Sequence, residues 1–154
     1  MLALQCNNLQ RLAIENEEGF DPFQVFEVRH RACSLLYVTV KCGRNISKGS
    51  STKDLMDTPD PYVRLRLPNS PDGRRKTMHY DNEINPKWEE SFRFYLDTDK
   101  NNTLYLDLMD ANVISDEVID TQEFKLNNLE PGRAEHITFK FKESSEVDVD
   151  LKLV

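Results

Sequence analysis

The sequence predicts an all-β sandwich, and three observations carry that prediction. From Phe23 onward, short runs alternate apolar and polar residues with period two. Clusters of Gly, Pro, Asn, Asp and Ser separate these runs at spacings of roughly 8 to 15 residues, the rhythm of antiparallel strands joined by turns. No repeat, heptad or low-complexity linker interrupts the pattern, and 154 residues are enough for one domain to bury a core without disulfides or metal.

Taken in order, residues 35–42 (LLYVTVKC) alternate Val38 and Val40 with Thr39 and Lys41, which places Cys42 on the core side. GRNISKGSST and the acidic stretch up to Asp60 form the first connection. Residues 61–67 (PYVRLRL) alternate Val63, Leu65 and Leu67 with arginines, and PNSPDG turns the chain into 74–80 (RRKTMHY). DNEINP leads into 89–96 (EESFRFYL), and DTDKNN into 103–110 (TLYLDLMD). The strands at 118–126, 134–142 and 146–154 follow in the same manner, the last as VDVDLKLV. Trp88, Tyr62 and Phe92 read as core aromatics. Residues 1–20, polar and acidic with a weak helical spacing, read as a mobile extension, and 21–154 as the domain. A stop inside the last strand reads as an excerpt from a longer protein.

A formal net charge of −7 argues against nucleic acid as a partner, and makes contact with anionic lipid depend on a cation or a local basic patch. Cys6, Cys33 and Cys42 lack CxxC spacing and read as reduced cytosolic thiols. No run approaches the roughly 18 to 20 apolar residues of a membrane span. A GxSxG elbow and a Ser/His/Asp set are not discernible, so the chain reads as a module without catalysis of its own.

In such a sandwich, the loops after the first, third and fifth strands meet at one end. They carry Asp54, Asp57 and Asp60; Asp81, Asn82, Glu83 and Asn85; and Asp110, Asn112, Asp116 and Glu117. Converging carboxylates repel, and the set is tolerable when a cation fills it. Oxygen donors on irregular loops suit calcium, which takes six to eight oxygens at about 2.3–2.6 Å, better than magnesium or zinc.

The stretches DLMDTPDPYV, DNEINPKWEESFRF and LMDANVISDE resemble the calcium-binding loops of C2 domains, and more narrowly those of the cytosolic (group IV) phospholipases A2, the alpha form especially. The resemblance implies an eight-stranded antiparallel C2 sandwich of the permuted, phospholipase-like (type II) topology. It implies two calcium ions held by Asp57, the Thr58 carbonyl, Asp60, Asn82, Asp110, the Ala111 carbonyl and Asn112, with Asp54 and Asp116 outside the inner sphere. Leu55, Met56, Val113 and Ile114 are then loop tips that enter a phospholipid membrane, and Arg74, Arg75 and Lys76 a site for anionic headgroups. Thr52 beside Lys53, where the alpha form has a further aromatic, and Ser115, where it has Met, weaken the apolar tip and argue against a strong preference for neutral phosphatidylcholine, and the added Lys53 leans toward acidic lipid. The implied function is a monomeric, calcium-dependent module that carries an attached phospholipase from the cytoplasm to intracellular membranes. The alternative is a protein-interaction C2 domain with a calcium-independent or non-lipid partner.

Overall fold

A computed structural model describes residues 33–49 and 58–154. Eight strands run in chain order: β1 Cys33–Arg44, β2 Pro61–Arg66, β3 Arg74–Lys76, β4 Lys87–Asp97, β5 Thr103–Asp110, β6 Glu117–Lys125, β7 Ala134–Lys140 and β8 Glu146–Leu153. They form two four-stranded antiparallel sheets, ordered β4-β1-β8-β7 and β3-β2-β5-β6. The predicted sandwich is therefore observed, with every predicted strand present.

The alternation explains the packing. Leu36, Val38, Phe94, Val149 and Leu151 from the first sheet meet Val63, Leu65, Leu104, Leu106 and Leu108 from the second, all buried in one apolar cluster. Trp88 and Phe92 belong to it as predicted. Tyr62 is buried but lies outside that cluster: it is paired with Met109 and shares the parity of Arg64, so its ring covers the outer face of the second sheet.

Cys42 is a correction. The register of β1 shifts between Val40 and Cys42 against both neighbours, so one extra residue reverses the parity of the rest of the strand. Cys42 consequently emerges half-buried on the outer face, where its thiol donates to Asp148 Oδ2 at 3.6 Å. Gly43 takes the inward place instead. A Cβ there would stand 3.2 Å from the Trp88 ring and 3.0 Å from Ile46 Cδ1, so the missing side chain lets the end of β1 close on the loop before β4. The Gly43 N–H donates to the Pro86 carbonyl at 2.8 Å.

The strand expected over 74–80 ends at Lys76. Thr77 turns inward, its hydroxyl accepting from Val63 N–H at 3.0 Å while its own N–H donates to the Val63 carbonyl at 2.9 Å. A side-chain oxygen thus replaces a ladder carbonyl, and the chain leaves the sheet toward the loop end of the sandwich.

Candidate functional site

The three predicted loops do converge. Asp110, the last residue of β5, is 2% exposed, and Pro61 at the start of β2 is its strand partner. Two prolines bracket Asp60, and Pro61 restricts it to extended geometry. Asp60 donates its N–H to Asp110 Oδ1 at 2.8 Å, and its carbonyl accepts the Ala111 N–H at 2.9 Å. From the second loop, Asn82 adopts φ 52, a left-handed conformation that asparagine tolerates, and donates its N–H to Asp60 Oδ1 at 2.7 Å. One residue from each loop is therefore locked into a single oxygen-rich cleft.

Cationic charge reaches the cleft from the protein itself. Lys48, in the segment after β1, places Nζ 2.9 Å from Asp110 Oδ2. Asp116 takes a different role from the other acids: its two oxygens accept the Tyr62 hydroxyl and the Asn112 N–H, the latter at 3.0 Å. Those two hydrogen bonds hold its carboxyl below the usual carboxylate range, while burial and the bond to Asp116 push the Tyr62 phenol up to about 12. Asp116 thus ties the third loop to β2. Glu83 and Asn85 spend their side-chain oxygens inside and behind the second loop, on Asn85 N–H and Asn45 N–H, whereas Asp81 faces His79 at 3.3 Å.

Of the predicted metal ligands, Asp60, Asn82, Asp110, Ala111 and Asn112 are brought to this cleft, and Thr58 stands half-buried two residues before Asp60. Asp57, along with Asp54, Leu55 and Met56, lies outside the described residues. Among the described residues, no group of three or more acidic, His or Cys side chains is gathered as a complete metal cage. What is present fits a hard cation: carboxylate and amide oxygens, one carboxylate almost wholly buried, and a positive group already seated on it.

Val113 and Ile114 are 104% and 97% exposed at the tip of the third loop. Beside them an open groove of about 720 Å³ runs from Asp60 along Lys76 to Glu90. Met78, 66% exposed, lines the same groove. Alternation in RRKTMHY extends a strand over Met78 and gives no signal of this placement; the inward turn at Thr77 is what displays it.

The basic run divides. Arg64 pairs with Lys76 and Arg66 with Arg74, so these four cations share the outer face of the second sheet. Arg75 pairs with Leu65 and lies the other way, its guanidinium 5.3 Å from the centre of the Phe92 ring. Arg64 and Arg66 converge on buried Asp107, at 2.7 and 2.6 Å. Burial would raise the Asp107 carboxyl, but hydrogen bonds from Arg66, Arg64 and Thr121 outweigh it and leave it at about 2. Alternation in YVRLRL was the available signal for Arg64 and Arg66, needing only the hairpin register to join them to Arg74 and Lys76.

A two-sheet sandwich whose acidic loops meet at one end defines a class, and the comparison of families agrees: the C2 domain model matches residues 34–141, and the chain belongs to the C2 domain family. Within it, the chain is similar to cytosolic phospholipase A2 delta of Mus musculus, with 28% identity over 102 residues, covering 66% of this chain and 12% of that protein. Among solved structures it resembles the human GIVD cytosolic phospholipase A2 in complex with methyl gamma-linolenyl fluorophosphonate inhibitor and terbium chloride, at 29% identity and a TM-score of 0.70. That match covers 79% of this chain and 17% of the other. Extended-Synaptotagmin 2, with 19% identity, a TM-score of 0.70 and coverage of 86% and 30%, shares the fold. The chain therefore spans a small part of the phospholipases it matches and is homologous to their C2 domain.

Proposed function

We propose that this chain is a calcium-dependent phospholipid-binding module that brings an attached cytosolic phospholipase A2 catalytic domain from the cytoplasm to intracellular membranes. The observation that carries the reading is the adjacency of two opposites. Asp60 and Asp110 are hydrogen-bonded together in the cleft, and Val113 and Ile114 stand fully exposed immediately beyond it.

In this reading two calcium ions are held by Asp57, the Thr58 carbonyl, Asp60, Asn82, Asp110, the Ala111 carbonyl and Asn112. Calcium offsets the carboxylates' charge, which otherwise opposes approach to lipid, and presents coordination to phosphate oxygens. Leu55, Met56, Val113 and Ile114 then enter the bilayer, each contributing at most roughly 1.5–3 kcal/mol. Met78, exposed in the same groove, joins them. Arg74 and Lys76, with Arg64 and Arg66, supply a face for anionic headgroups, while Arg75 contributes less because it lies over Phe92. The loop motifs favour kinship with the alpha form and its permuted strand order. Residues 21–154 constitute the module, acting as a monomer, and 1–20 an extension.

The test is co-sedimentation with phosphatidylcholine–phosphatidylserine liposomes. Wild type is expected to sediment in calcium and stay in solution in chelator, and Asp60→Asn to require roughly tenfold more calcium because ligand charge sets affinity. Equal sedimentation in calcium and chelator would assign the loops to a calcium-independent partner instead.

A further inference from the structure

The cleft holds a cation that belongs to the chain. Lys48 Nζ lies 2.9 Å from Asp110 Oδ2, and Asp110 Oδ1 is engaged by the Asp60 N–H, so the chain itself supplies a partner to each oxygen of this buried carboxylate. The lysine does not hang on a loose arm. Ile46 is buried and donates its N–H to the Ile84 carbonyl at 3.0 Å, and the Asn45 N–H donates to Asn85 Oδ1 at 3.0 Å. The Ser47 N–H donates to Oγ of buried Ser145 at 2.9 Å. The three residues before Lys48 are thus fixed to the second loop and to the turn between β7 and β8, which delivers the side chain to the cleft.

We infer that Lys48 is a resident counter-ion of the calcium site: its ammonium neutralises Asp110 while no metal is bound and gives way when calcium arrives, which sets the calcium concentration at which the module responds. The inference rests on the calcium reading above. An isolated buried carboxylate is costly, so some cation must satisfy Asp110 in the metal-free domain. A dication bound to the same carboxylate at about 2.3–2.6 Å would stand within a few ångströms of the ammonium, where like charges repel strongly. The two cations therefore compete for Asp110, and every calcium taken up there must first break the ion pair.

Two measurements on purified chain without lipid test this: isothermal titration with calcium, and thermal unfolding in chelator. Lys48→Met keeps the apolar stem and removes the charge; Lys48→Gln serves if that variant fails to fold. The expected result is about tenfold tighter calcium binding in the variant, together with a lower unfolding temperature in chelator and a larger rise on adding calcium. Calcium binding by the variant that is unchanged or weaker than wild type overturns the competition and leaves the calcium site standing. Absence of calcium uptake by both chains overturns the site itself and the inference with it, whereas uptake by the variant alone supports the lysine as the group that closes the site.

Discussion

Asp107 and Asp110 are both buried carboxylates on β5, three residues apart, and their surroundings assign them different work. Asp107 is matched by Arg64, Arg66 and the Thr121 hydroxyl, a complete set of partners on the outer face of its sheet. Its carboxyl sits at about 2, below the usual value near 4 for an unfolded chain, so its charged form is favoured by folding. The stability it contributes is full above about pH 4 and is lost as pH falls through 2. Asp148 behaves alike, held at about 2 chiefly by the hydrogen bond from Arg44. Asp107→Asn is expected to cost about 2 kcal/mol at neutral pH and to flatten the acid limb of stability between pH 4 and 2, as followed by urea unfolding across that range. A variant as acid-sensitive as wild type would remove Asp107 from that role. In sequence the two aspartates look equal. What separates them is which cations the neighbouring strand and loop bring, and of those only the alternating arginines of YVRLRL were legible; Lys48 depends on the path of a loop that no local pattern fixes.

At the level of strands, the short β3 decides how basic the outer face of the second sheet is. Register puts Arg74 and Lys76 across from Arg66 and Arg64, and turns Arg75 toward Phe92. Replacing Arg74 and Lys76 together by Ala is expected to weaken binding to phosphatidylserine liposomes by about 1 kcal/mol per charge, whereas Arg75→Ala costs clearly less. Liposome titration at two salt concentrations checks this, and a loss from Arg75→Ala equal to the loss per charge from the paired substitution would return the run to an undivided basic patch. The strands themselves were readable from period-two alternation, with ends displaced by a few residues. Two exceptions stand out: the inward Thr77 that ends β3 early, and the bulge before Cys42 that turns an expected core thiol outward. Both are tertiary choices of hydrogen-bond partner, which alternation alone does not encode.

Across the whole molecule, antiparallel connectivity forces alternate loops to one end, and for that reason the meeting of Asp60, Asn82 and Asp110 could be foreseen from strand order alone. The tips at Val113 and Ile114 were foreseeable from their composition beside acids. The burial of Tyr62 was foreseeable too, but its place on the outer face was not, because its cover comes from the third loop, through Asp116, and from Lys76, whose Nζ is 5.7 Å from the ring centre. In the proposed function, calcium drives these tips into lipid. The chain has one tryptophan, Trp88, and it is buried in the core, so a second tryptophan at a loop tip reports separately. Fluorescence of Ile114→Trp with liposomes containing brominated phosphatidylcholine is the direct measurement. Strong quenching on adding calcium, reversed by chelator, is the predicted result; quenching that is absent in calcium, or equal in chelator, would contradict the account.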